Sequence, residues 1–251
     1  MAKPSLILVT NDDGVRARGI ISLARRLKIL GRVVVVAPNG PQSASSHSVT
    51  LHRPLRINRL ARDVYSVDGT PADCVMLGVH EILDARPDLI VSGINHGANL
   101  GEDVHYSGTV SAAFEGGILG IPSIAVSRFP DDEKGNFSMA ANFAAKVARK
   151  VLKEGLPRGV ILNINVPAVS SGKIMKYCFT YQGRRNYGDI IEEKVDPRGR
   201  KYYWIGGKRA AFEDMPESDC NAVLEGRISI TPLQVDLTDR ASLKALGVWR
   251  L

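Results

Sequence analysis

"SLILVTNDDGVRARGIISLARRLKILGRVVVVAP", residues 5–38, is the stretch on which the fold turns. Residues 5–10 are an apolar run of strand length that ends abruptly in Asn11, Asp12 and Asp13. The next segment repeats apolar side chains at helical spacing, with Ile20, Leu23, Ala24 and Leu27 on one face, and "VVVVA" (33–37) is a second β-branched run. Strand, helix and strand in this order are the rhythm of a parallel sheet covered by helices.

The rhythm continues outward from that unit. "PDLIVSGIN" (87–95), "PSIAVS" (122–127) and "GVILNINVP" (159–167) are further buried strands, separated by helix patterns at 107–120 and 137–153. "LRIN" (55–58) and "VYSV" (64–67) read as a hairpin. "GTPADCVMLGVHEIL" (69–83) opens a helix with Thr70 as its cap, Pro71 in the first position and Asp73 at the third. The pattern breaks at 172–210, where Tyr, Gly, Arg and Lys are frequent and alternation is irregular, as in an extended hairpin arm. "GRISITPL" (226–233) returns to strand, and "DRASLKALGVW" (239–249) gives a short terminal helix. The expectation is an α/β fold with a mostly parallel sheet over 1–171, and a smaller C-terminal part over 172–251.

A chain of 251 residues can bury one substantial core, and 44% hydrophobic with 24% charged residues is far from a disordered composition. Cys74, Cys178 and Cys220 are odd in number and widely spaced, which argues against a disulfide framework or a structural zinc site and for the cytoplasm. The apolar run at the N-terminus is too short for a signal peptide or an anchor, and no other segment approaches a membrane span. The formal net charge of +7 suits nucleic acid, a small anionic substrate or simply a basic surface, and does not separate them.

In an open parallel sheet, ligands bind beyond the carboxyl ends of the strands. Three polar clusters fall there: Asn11, Asp12 and Asp13; the serine loop "GPQSASSHS" (40–48); and "SGINHGANLGEDVHYSGTV" (92–110). Two ionised carboxylates about 4 Å apart repel by about 4 kcal/mol at an effective dielectric of 20, and a hard divalent cation with oxygen ligands would relieve that. The ordinary alternative is a turn or helix cap before Gly14. Ser107, Gly108 and Thr109 begin a helix, whose N-terminus binds phosphate readily, with plain capping as the alternative. Neither a Walker loop nor a dinucleotide fingerprint is present, since Gly14 and Gly19 do not complete one. His47, His96 and His105 lack zinc-site spacing, which leaves His47 and His96 as candidates for a general acid. Aromatic and basic residues interleave in the arm, among them Tyr202, Tyr203, Trp204, Lys201 and Arg184; an oligomer contact is preferred there over nucleic-acid binding. A phosphoacceptor signalling domain is disfavoured, because Ser92 and Gly93 stand where its acidic acceptor belongs and Arg128 where a lysine is expected.

Taken together, "LVTNDDG", "QSASSHSVT", "VDGTPADCV", "PDLIVSGINHGANLGEDVHYSGTVSAAFEGGILGIPSIAVS" and "SITPL" resemble the SurE family of survival-protein nucleotidases, in the right order from Leu6 to Leu233. Ser218 stands where that pattern has threonine. The resemblance implies a Rossmann-like three-layer core and dimers or tetramers built through the hairpin arm and an exchanged C-terminal segment. It also implies a divalent-metal-dependent phosphatase acting on nucleoside 5′- and 3′-monophosphates, in some members also on polyphosphate. The family's metal ligands fall on Asp12, Asp13, Ser43 and Asn95, to hold one Mg²⁺ or Mn²⁺ per subunit, with Co²⁺ as an alternative. On the combined reading Asn11, Gly14, Asn99, Ser107, Gly108 and Thr109 bind the phosphate, water activated at the metal attacks, and either aspartate is a candidate base or nucleophile. No stable nucleic-acid partner is expected.

Overall fold

The computed structural model describes residues 4–130, 136–168, 176–186, 191–205 and 211–250. β1 (Ser5–Thr10), α1 (Arg18–Leu27) and β2 (Gly31–Pro38) form the expected unit, with β1 and β2 parallel from Ser5 opposite Gly31 to Val9 opposite Val35. The hairpin β3 (Ile57–Ala61) and β4 (Val64–Val67) comes next, then α2 (Pro71–Leu77), β5 (Leu89–His96), α3 (Gly108–Ile118), β6 (Ser123–Phe129), α4 (Ser138–Glu154) and β7 (Val160–Pro167). The C-terminal part supplies β8 (Tyr177–Phe179), β9 (Arg185–Asn186), β10 (Ile191–Val195), β11 (Lys201–Ile205), β12 (Ala211–Phe212), α5 (Asp219–Leu224), β13 (Ile228–Gln234) and α6 (Arg240–Leu246).

Nine strands make the central sheet in the order β3-β4-β2-β1-β5-β6-β7-β13-β8. Pairing is parallel except between β3 and β4 and between β7 and β13, so the fold is α/β with a mostly parallel sheet. Alternation divides each strand between two layers. Ile7 and Val9 of β1 pack with Leu23 and Leu27 of α1 and Ala144 and Ala148 of α4, while Leu6 and Leu8 pack with Cys74 and Val75 of α2 and Ala112 of α3. A strand covered on both faces must read as an unbroken apolar run, which is why β1 and β2 do. Each large aliphatic side chain so buried contributes about 1.5–3 kcal/mol.

Local signals account for the helices. The buried face of α1 is Gly19, Ile20, Leu23, Ala24 and Leu27, and α2 starts in a full capping box in which Thr70 accepts from Asp73 N and Asp73 accepts from Thr70 N. Two features of the C-terminal part differ from the sequence reading. Tyr177–Phe179 is the edge strand of the main sheet, parallel to β13, rather than part of the arm. Asp219–Leu224 is a short helix capped by Ser218, in a stretch to which the sequence reading assigned no element. The remainder of 172–210 includes the exposed hairpin β10–β11, and residues 172–175, 187–190 and 206–210 lie outside the described residues. No helix among the described residues is long and apolar enough to cross a membrane.

Candidate active site

Parallel pairing of β1 with β5, and of β5 with β6, sets their carboxyl ends side by side, so Asn11–Gly14, Asn95–Asn99 and Ser127–Arg128 share one sheet edge. The chain leaves β1 through a turn in which Asn11 Nδ2 donates to the Gly14 carbonyl at 3.0 Å. Gly14 adopts φ +97°, and a Cβ there would press on the backbone of Gly40 at 3.1 Å. A glycine therefore lets the serine loop close over the turn. Across that contact Gln42 N donates to the Asp12 carbonyl at 2.7 Å.

Asp12 is buried, and its carboxylate meets the start of α3 from 97 residues away. Thr109 N donates to Oδ2 at 3.1 Å and Thr109 Oγ1 donates to Oδ1. The approach depends on Gly108, where a Cβ would lie 2.9 Å from Asp12 Cβ and 2.6 Å from Ser45 Oγ. Asp12 is thus neither a local turn former nor a cap of α1, whose cap Ala17 makes no side-chain bond. It is an anion seated at a helix N-terminus, where the partial positive charge favours it. Burial nevertheless pushes its pKa up to about 6; the Thr109 hydroxyl pulls it down and the charge of Asp13 pushes it further up. Asp13 in turn accepts from the backbone N–H of His96 at 3.2 Å, which ties β1 to β5.

A hard divalent cation fits this donor set. Two mutually repelling carboxylates lie together, and Asn11 Oδ1 and Ser45 Oγ are buried oxygens without a hydrogen-bond partner. Among the described residues no group of three or more His, Cys, Asp or Glu side chains could hold a metal, so a cation here would rely on two carboxylates plus amide and hydroxyl oxygens. Hard cations such as Mg²⁺ and Mn²⁺ accept such ligands.

The other expected residues distribute as follows. Ser43 is exposed in the loop beside Gln42, while Ser45 presents the buried, unpartnered hydroxyl near Gly108 and Asp12. Asn95 is half-buried, and its amide nitrogen donates to the Gly97 carbonyl at 2.9 Å. Ser107 Oγ accepts from Val110 N at 3.1 Å, the plain capping arrangement, and both Thr109 donors go to Asp12 rather than outward. His47 pairs with Glu115 at 2.8 Å, which fastens the serine loop to α3. The His96 ring packs edge-on against Phe137 at 4.8 Å, with Nδ1 buried and unpartnered. Asn99 is buried in a network with Ser127, Asn163 and Asn165. The sequence reading passed over Ser127, Asn163 and Asn165, although two asparagines alternating inside "VILNINVP" were the available signal: polar residues two apart share one face of a buried strand.

A family model described as "Survival protein SurE" matches residues 7–189. A curated protein of Geobacter sulfurreducens named "5'-nucleotidase SurE" is 53% identical over 245 residues, covering 98% of this chain and 94% of its own length. One of Geotalea uraniireducens with the same name is also 53% identical, with 98% and 99% covered. The crystal structure of the SurE protein from Aquifex aeolicus superimposes with a TM-score of 0.86 at 44% identity, over 96% of this chain and 98% of that one.

Proposed function

The chain belongs to the SurE family, and from that membership and the geometry at the sheet edge we propose that it is a divalent-metal-dependent phosphomonoesterase that releases phosphate from nucleoside 5′-monophosphates. Activity on 3′-monophosphates and polyphosphate, Mg²⁺, Mn²⁺ or Co²⁺ as the metal, and a homo-oligomer in the cytoplasm complete the reading. The observation that carries it is the pairing of Asp12, held by the start of α3, with Asp13, held by β5, beside the buried hydroxyl of Ser45.

Asp12, Asp13, Ser43 and Asn95 would hold the cation, and Ser45 is a second hydroxyl at the same place. When bound, the cation supplies a Lewis acid for a phosphate oxygen and makes a water more acidic. The protein's own groups do the rest. Both oxygens of Asp12 are engaged by Thr109, which fixes that carboxylate as a ligand rather than a mobile base. Asp13, anchored by the His96 N–H, is the candidate to take the proton of the attacking water. The N-terminus of α3 faces the same point and opposes the negative charge that builds on the phosphoryl oxygens, with Asn11, Gly14, Asn99, Ser107 and Gly108 around it. His47, already paired with Glu115, serves the loop, which leaves His96 as the candidate for protonating a leaving oxygen.

Phosphate release should be measured across nucleoside 5′- and 3′-monophosphates, p-nitrophenyl phosphate and polyphosphate, with Mn²⁺ and after chelation. The expected result is cation-dependent release that is fastest with a nucleoside 5′-monophosphate. Release that survives chelation would refute the metal, and a trapped phospho-aspartate would refute water as the nucleophile.

A further inference from the structure

β7 carries two primary amides where a buried strand should carry hydrocarbon. Asn163 and Asn165 alternate with Leu162, Ile164 and Val166, and all five are buried. Both asparagines turn to one residue. Asn165 Oδ1 accepts from Asn99 N at 2.8 Å, and the Asn99 carbonyl accepts from Asn163 Nδ2 at 2.9 Å and from Asn165 Nδ2 at 3.0 Å. The Asn99 side chain is held as well, through its amide nitrogen and Ser127 Oγ at 2.8 Å. Ser127 and both asparagines are fully buried. Burying such groups is costly unless they are bonded, and here one oxygen, Asn163 Oδ1, still has no partner. A core that accepts this cost for a single loop residue departs from the local rule in the way functional sites do.

The contacts come from one side. In the strand order β1-β5-β6-β7, Ser127 lies on β6 and the asparagines on β7, both beyond β5 as seen from Asp12. Asn99 itself belongs to the bridge that runs from His96, whose N–H holds Asp13, to Ser107, which caps the helix that holds Asp12. With its backbone N–H and carbonyl fixed and its amide nitrogen donating to Ser127 Oγ, Asn99 has its amide oxygen left as the other end of the side chain. A serine hydroxyl can donate as well as accept, so a half-turn of the amide would let Ser127 donate to Asn99 Oδ1 and free the N–H₂ for an anion.

We propose that Ser127, Asn163 and Asn165 are positioning residues that hold the Asn99 amide toward the phosphate of the substrate. The inference rests on the phosphatase reading and adds to it where the specificity of Asn99 originates. None of the three touches substrate. Their work is to fix the place and plane of one amide before the phosphate arrives, so that only the choice between its two ends is left when it binds.

The test uses the full chain with Mn²⁺ bound, and compares wild type with Ser127→Ala, Ser127→Thr and Asn165→Ser. Inorganic phosphate binding is read by calorimetry, Mn²⁺ binding without phosphate by electron paramagnetic resonance, and KM and kcat with a nucleoside 5′-monophosphate. Ser127→Ala and Asn165→Ser should each weaken phosphate binding and raise KM about tenfold, with Mn²⁺ affinity unchanged, and Ser127→Thr, which keeps the hydroxyl, should stay near wild type. Equal losses of Mn²⁺ and phosphate affinity, or phosphate binding unchanged in Ser127→Ala, would overturn the proposal. Should Asn165→Ser not fold, Ser127→Ala, which deletes one hydroxyl, decides alone. A wild-type protein that releases no phosphate would contradict the phosphatase reading instead, a distinct outcome.

Discussion

Asp12 titrates inside the fold, and its proton gives experimental access to the site. Its pKa in the folded chain is about 6 against an ordinary 3.8, with burial the main cause. A raised folded pKa contributes stability that is fully present below 3.8 and is lost as pH rises through about 6, because the folded protein keeps a proton that the unfolded chain has released. Cation-free wild type should therefore lose up to about 3 kcal/mol relative to Asp12→Asn between pH 4 and pH 7. Urea midpoints of the two proteins at pH 4, 5.5 and 7 measure this, and parallel curves would remove Asp12 as the titrating group. The same proton competes with a cation, so Mn²⁺ affinity of wild type should fall steeply below pH 6. Thr109→Val removes the hydroxyl that lowers this pKa, and should move the acid limb of the pH–rate profile to higher pH. At this scale the sequence pointed to candidate residues but not to their partners. Two adjacent aspartates after an apolar run were legible as a candidate oxygen site; that Thr109 holds one of them was not, since the two are joined only by the parallel stacking of β1 and β5 beside α3.

α3 shows how an element is shaped by what it must approach. Alanine ordinarily favours a helix over glycine by about 1 kcal/mol, so Gly108→Ala in isolation would strengthen α3. In this fold the added methyl meets Asp12 Cβ at 2.9 Å and Ser45 Oγ at 2.6 Å. The helix start must then back away from β1, and phosphate release should fall at least tenfold with little change in helical content by circular dichroism. Unaltered activity in Gly108→Ala would show that the helix start does not need its close approach. Elements with strong local signals were legible in advance: the unbroken runs of β1, β2 and β5, the amphipathic face of α1 and the capping box of α2. α5 was not, because six residues make too short a periodic pattern, although Ser218 before it and Gly226 after it are ordinary helix boundaries. β8 was absorbed into the arm because three residues carry no alternation, and only its pairing with β13 identifies it as sheet.

The whole molecule leaves apolar surface that one chain does not cover. Every residue of β10 and β11 is exposed, including Ile191, Trp204 and Ile205, and an isolated two-stranded hairpin is at best marginally stable in water. α6 likewise buries none of its residues, while Leu243, Leu246, Val248 and Trp249 around it are exposed. On the proposed oligomer both segments meet a second copy, so light scattering after size exclusion should give a dimer or larger, and a chain ending at residue 238 should give a smaller species. A monomeric full-length chain would contradict the oligomer reading. The sequence could show that the arm and tail were unlike the core; it could not show what they cover, since on the oligomer reading that surface belongs to another molecule. The proposed activity depends on the two aspartates acting with a cation at the edge of the sheet. The direct measurement is phosphate release from a nucleoside 5′-monophosphate by wild type, Asp12→Asn and Asp13→Asn, each with saturating Mn²⁺ and after EDTA, with folding checked by circular dichroism. Wild type should be active only with Mn²⁺, and both folded variants should lose at least a hundredfold in kcat/KM. Full activity in both variants, or wild-type activity undiminished by EDTA, would contradict it.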